Sequence, residues 1–220
     1  MSYTFGGLTQ PSPNANTWTT AVTGVPQGAT IITNFVWNNP GGDTITSIGD
    51  DNGGSYSPVG TRGTSGGNGW NDCWYAPNCN SGTHNLSIAF SAQEEGYMAT
   101  FWVNGVGSPT GTASIVYNNF PGTGSNILVS NNITTTVNGA LILGLFCGAD
   151  DSSGTFSAGT SPNAFTSLGG SVPAQEFFVQ TTAATITATA GATINAASWA
   201  WILAFAPAAA PTGIPIAWLQ

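Results

Sequence analysis

Few side chains in this protein could do chemistry, and they fall into small sets. Two Asp-Asp pairs, Asp50-Asp51 and Asp150-Asp151, open near copies of one segment, "DDNGGSYSPVGT" and "DDSSGTFSAGT". A Glu-Glu pair, Glu94-Glu95, lies in "SAQEEGYM", and Cys73 and Cys79 bracket "WYAPN". His84 is the single imidazole. The Asp pairs with Asn52 could supply hard oxygens to calcium, which takes about six to eight of them. The spacing lacks the alternating ligands and closing Glu of an EF-hand, and Asp or Asn beside Gly is also the default composition of a turn. Glycoside hydrolysis needs two carboxyls on opposite sides of a sugar, about 5–10 Å apart. Adjacent residues of a strand point apart, so Glu94-Glu95 reads as a solvated hairpin tip. A hydrolase triad would have to use His84, yet no Gly-x-Ser-x-Gly elbow is present, and His84 reads as an exposed strand start. Cys73 and Cys79 could bridge if Pro77-Asn78 turns the chain; a straight strand through Cys73 would keep them apart. Cys147, in an apolar run, reads as a buried thiol. No motif requires a catalytic residue, a metal or a cofactor.

Charge narrows the function classes further. The 220 residues contain one cation, Arg62, against nine acids, for a formal charge of −8. A phosphate backbone needs a cationic surface, so nucleic acid is excluded as a partner, as is electrostatic attachment to anionic membranes. The opening "MSYTFGGLTQPSPN" has no basic or apolar signal region, so the expectation is assembly in a host cytoplasm rather than secretion. Eight Trp are many for this length. Trp37, Trp102, Trp199 and Trp201 lie on apolar runs, whereas Trp70, Trp74 and Tyr75 could form a platform for stacking on sugar rings.

The elements that must carry these residues are strands. "ATIITNFVW" (29–37), "HNLSIAF" (84–90), "YMATFWVNG" (97–105), "ALILGLFCG" (140–148), "AQEFFVQTT" (174–182), "ATITATA" (184–190) and "SWAWILAFA" (198–206) alternate or run apolar, with Gly, Pro, Asn and Ser clusters between them. No segment holds a helical period for three turns. Both halves run in one order: Thr-rich opening, core strand, Asp-Asp turn, polar alternating strand, apolar closing strand. The expectation is an all-β, two-sheet antiparallel sandwich of about ten strands in two pseudo-symmetric halves. One domain would span 1–207, with halves 17–107 and 112–207. The last residues, 208–220, read as an extended Pro-rich apolar tail, in which Ile214, Ile216, Trp218 and Leu219 could form an interface.

The segments "TITSIGDDNGGSYSPVG", "WYAPNCNSGTHNLSIAFS", "YMATFWVNGV" and "ASWAWILAFAP" together resemble a family of jelly-roll-like β-sandwich domains of tailed-phage virion and bacterial surface proteins. The matching positions are Asp51, Gly54 and Tyr56 of the turn, in shorter spacing than the family's Asp-x-x-Gly-x-x-Tyr, Trp74, Tyr75 and Ala76 of the next strand, Ser81, Gly82 and Thr83 before the alternating strand, and Trp199 and Ala200 of the closing strand. The resemblance covers roughly residues 17–207 and brings no catalytic residue. The Cys73/Cys79 pair and the chain after Pro207 depart from it. It implies a non-enzymatic virion exterior component, such as a capsid decoration protein, on the surface of a phage particle. Its partners would be copies of itself and the larger particle, held by apolar and aromatic contacts. The alternative is an extracellular adhesion or glycan-binding module using Trp70, Trp74 and Tyr75. A carbohydrate-active enzyme using Glu94, Glu95 or Glu176 is the third reading.

Overall fold

The computed structural model describes residues 3–38, 42–64, 69–110, 114–118, 125–148, 155–169, 174–193 and 198–209. Its regular structure there is entirely β. The first stretch holds β1 (Thr4–Thr9), β2 (Asn14–Val25), β3 (Thr30–Asn38), β4 (Ile45–Asp50), β5 (Ser57–Pro58), β6 (Gly63–Thr64), β7 (Gly69–Ala76) and β8 (Gly82–Asn104). The chain continues through β9 (Val106–Pro109), β10 (Ser114–Asn118), β11 (Ser125–Val129), β12 (Ile133–Thr134), β13 (Ala140–Gly148) and β14 (Thr155–Ala158). It closes with β15 (Thr166–Gly169), β16 (Ala174–Gln180), β17 (Thr185–Ile186), β18 (Thr189–Thr193) and β19 (Ser198–Pro207). Every pairing is antiparallel.

Two apolar strands sit at equivalent places. β3 lies between β8 and β7, and β13 lies between β19 and β16. Both are buried along almost their whole length because each has a layer on either side. Ile32, Phe101 and Val103 meet Leu141, Leu143, Trp201 and Phe205, so the β3 and β13 sheets pack face to face. On the far side of the β3 sheet, Phe35, Trp37 and Met98 pack against Trp18 of β2 and Leu86 and Ile88 of β8. On the far side of the β13 sheet, Ile142, Phe146 and Ile202 pack against Leu128 of β11, Ala190 of β18 and Ile186 of β17. Sandwiching each central sheet between two layers removes both of its faces from water, at about 25 cal/mol per Å² of apolar surface.

β8 serves two layers. Its first part pairs with β2 and β4, and its last part with β1 and β3. The sequence changes character at the same place: "HNLSIAF" alternates, with one face buried, and "MATFWV" is buried on both faces. Gly96 marks the passage. A side chain there would collide with the Val36 carbonyl oxygen and the Trp18 ring. The Glu94-Glu95 pair therefore stands within a continuous strand and not at a hairpin tip.

Candidate functional site

The first Asp-Asp turn closes on itself. Asp50 Oδ1 accepts from the Asn52 and Gly54 backbone N–H groups, both at 2.9 Å. Asp50 Oδ2 accepts from the Tyr56 hydroxyl and lies 3.0 Å from His84 Nδ1. His84 is fully buried, against the expectation of an exposed strand start, because its position on β8 faces the core side shared by Leu86 and Ile88. Its Nε2 lies 2.9 Å from the Asn80 carbonyl and 3.3 Å from the Asn52 side-chain amide. Burial raises the Asp50 pKa, but Gly54, His84, Tyr56 and Asn52 together hold it below the ordinary carboxylate value. Asp51 turns outward and fixes Asn85 through its backbone N–H, at 2.9 Å, and its side-chain amide, at 2.6 Å. Both carboxylates are thus consumed in joining the turn to β8. Among the described residues no group of three or more His, Cys, Asp or Glu could hold a metal ion. Asp150 and Asp151 lie outside the described residues, as do Ile214, Ile216, Trp218 and Leu219.

The remaining sequence candidates separate. Trp70 and Trp74 face the cluster built on Trp18 and Phe35, whereas Tyr75 faces Phe205 on the opposite side of β7. Neighbours along a strand point to opposite faces, so the three rings share no platform. Trp70 stacks on Trp37, and Arg62 lies over both rings while its Nε donates to Asp72 Oδ2 at 3.2 Å. The Cys73–Cys79 disulfide is absent: both thiols are free and buried. β7 runs straight to Ala76, placing Cys73 in the central interface and Cys79 in a cluster with Val22 and Ile31. Burial raises both thiol pKa values. Cys147 is a buried free thiol too.

Two carboxyls that sequence reasoning placed on the surface or left aside are buried. Glu94 is 3% exposed, with Oε1 lacking a hydrogen-bond partner. Burial, then the charge and hydrogen bond of Asp43, push its pKa up to about 7. Asp43 itself accepts from the Ser91 hydroxyl at 2.9 Å. Glu176 is 2% exposed and projects between the β13 sheet and the layer of β14 and β18. Its Oε2 accepts from Gly159 N–H at 2.7 Å, and its Oε1 is buried without a hydrogen-bond partner. Burial pushes its pKa up to about 8, opposed by the Gly159 contact. Glu176 lines a partly open cavity of about 10 Å³, room for no more than a single water, with Phe146, Phe156, Ser157, Ser167 and Ala190. Only the alternation of "AQEFFVQ" could have signalled an inward Glu176, since it sets Glu176 on the face of Phe178.

The outward faces differ in kind. In the middle of their outward face β2, β8 and β4 present rows of small uncharged side chains, Thr17 beside Ala89 and Ser47, and Thr19 beside Ser87 and Gly49, while the same face carries Asn85 with Asp51 toward one end and Gln93 and Glu95 toward the other. The alternate residues Trp18, Ile88 and Ile48 face inward. On β11, Ile127 and Val129 are 69% and 41% exposed. Compared with known proteins, the chain matches no family model, no curated protein and no solved structure.

Proposed function

We propose that this protein is a non-enzymatic structural component that assembles with copies of itself on a larger particle, most simply as a capsid decoration protein on the exterior of a tailed-phage virion. The observation that carries this reading is the middle of the outward β2–β8–β4 face, between the Asp51–Asn85 pair at one end and Glu95 at the other. Thr17, Thr19, Ser47, Ser87 and Ala89 give a sheet surface with no long or charged side chain to be desolvated on contact. Exposed Ile127 and Val129 on β11 add apolar area of the sort that association removes from water. The single Arg is already engaged inside the chain, so contacts between copies would rest on packing and hydrogen bonds rather than ion pairs. The matching neighbours of β3 and β13 favour two pseudo-symmetric halves within one jelly-roll-like sandwich domain. Electron microscopy of the purified chain, with mass spectrometry of purified phage particles, tests the reading. Ordered assemblies and a stoichiometric place in the particle are expected. A chain that stays monomeric at every concentration and is missing from particles would overturn it.

A further inference from the structure

We propose that residues 210–220 of one copy add as an antiparallel strand to the open edge of β11 in a neighbouring copy. The proposal rests on the assembly reading above and names a contact that would link the copies. β11 is an edge strand: among the described residues it pairs with β18 alone. Ser130 N–H donates to the Ala188 carbonyl, so the backbone groups of the even-numbered residues along β11 turn toward β18. Alternation then directs the N–H and C=O of Ile127 and Val129 at the open edge. The same two residues carry the exposed apolar side chains. Unpaired backbone beside apolar side chains is a template for a further strand.

The sequence after β19 fits that edge. Residues 210–220, "APTGIPIAWLQ", lie outside the described residues. In an extended strand Pro211 and Pro215 fall on the same side, so both missing N–H groups face one way, as an edge strand tolerates. The other side keeps its donors, on Thr212, Ile214, Ile216 and Trp218. The same alternation sets Ile214, Ile216 and Trp218 on a single face. With Ile214 opposite Val129 and Ile216 opposite Ile127, the intact donors meet the open β11 groups, and the four β-branched side chains become cross-strand neighbours. A slip of one residue would set Pro215, which has no N–H, opposite Val129 or Ile127. The proline pattern and the apolar pattern thus select one register. Reach favours a neighbour over the chain's own β11. Asn131 donates to the Ile115 carbonyl, and Ile115 pairs with Trp201, which stands about 20 Å along β19 from Pro207. Thr136 meets Thr110, whose N–H donates to Ala204, so the chain from Thr136 back to Val129 recedes from Pro207. Ile214 can stand at most about 25 Å from Pro207, and only with the chain fully straight, which leaves no length for a reversal.

Single prolines in the full chain test the pairing. Ile216→Pro removes a donor on the pairing side, and Ala217→Pro removes one on the solvent side. Sedimentation velocity should show self-association weakened on the order of tenfold or more by I216P and nearly unchanged by A217P, with the wild-type Tm in both. Disulfide trapping fixes the partner and the register, since the three native thiols are buried. V129C and I214C chains, mixed and oxidised, should give a cross-linked dimer, and V129C mixed with P215C should give far less. A V129C/I214C double variant that closes within one chain at high dilution would put the segment on its own β11 and overturn the proposal. Undiminished assembly of I216P would overturn it too, and would leave the assembly reading standing. A wild-type chain that stays monomeric at every concentration overturns both. Assembly lost in I216P, by a chain that phage particles lack, overturns the particle reading alone and supports the strand addition.

Discussion

Asp50 accepts four hydrogen bonds, whereas Glu94 and Glu176 each bury an oxygen without one, and pH acts on the two situations in opposite senses. Asp50 has a lowered folded pKa, so its contribution is present above its ordinary value of 3.8 and is lost as pH falls through the folded value. Glu94 and Glu176 have raised folded pKa values, so the folded state keeps protons that the unfolded chain has lost. Their contribution is full below the ordinary 4.5 and declines as pH rises to about 7 and about 8 respectively. Denaturant midpoints should therefore fall as pH rises from 4.5 to about 8. E176Q should flatten that slope and stabilise the alkaline protein by on the order of a few kcal/mol. An unchanged slope would show that Glu176 titrates normally. His84→Ala removes a hydrogen-bond partner from the Asp50 carboxylate and the Asn80 carbonyl at a buried position and should cost about 1–3 kcal/mol in urea denaturation. The thiols make a third test. Native protein should react slowly with a thiol reagent, denatured protein should expose all three, and a reductant should leave Tm unchanged. A reductant-sensitive Tm would restore the Cys73–Cys79 bridge.

At the scale of elements, β8 decides the architecture by serving an outer layer with one part and an inner layer with the other. The passage depends on Gly96, where the chain runs against the Val36 carbonyl and the Trp18 ring. Backbone cannot yield as a flexible side chain can, so Gly96→Ala should destabilise by about 2–4 kcal/mol, a loss set by overpacking and backbone displacement. Urea denaturation measures it, and a change within about 0.5 kcal/mol, the range of ordinary surface substitutions, would mean that β8 can shift at no cost. The Asp50-Asp51 turn works with this strand, because His84 and Asn85 receive its two carboxylates and set the start of β8 against β4.

At the scale of the whole molecule, the β2–β8–β4 face and the small number of cations make a joint prediction. Ser87 lies on the middle strand of that face, and its side chain points away from the core. S87K should leave the Tm of the isolated chain unchanged while abolishing assembly, since a buried unpaired ammonium is costly at a packed contact. Sedimentation velocity measures the assembly. Full assembly by S87K would remove this face from the interface. If the proposed assembly forms, raising the salt should scarcely change it, because a chain with one cation can make almost no ion pairs between copies.

Several features followed from the sequence alone: the all-β class, the strands near 29–37, 140–148 and 198–206, and the balance of one cation against nine acids. Alternation and turn residues are local properties, and a charge balance is a sum over residues, so neither depends on how the sheets meet. The layering was legible only in part. Runs such as "ALILGLFCG", apolar on both faces, carry the mark of a sheet covered on both sides, but a run cannot say which layer covers it. Tertiary structure alone decided the fates of the polar side chains. Whether His84 faces water or the Asp50 carboxylate depends on where the turn before β5 comes to lie. Glu94 and Glu176 are buried because β2 and β14 pass over strands far away in the chain. Burial and partnership are relations between distant segments, and a carboxyl acquires its acidity from them rather than from its neighbours in sequence.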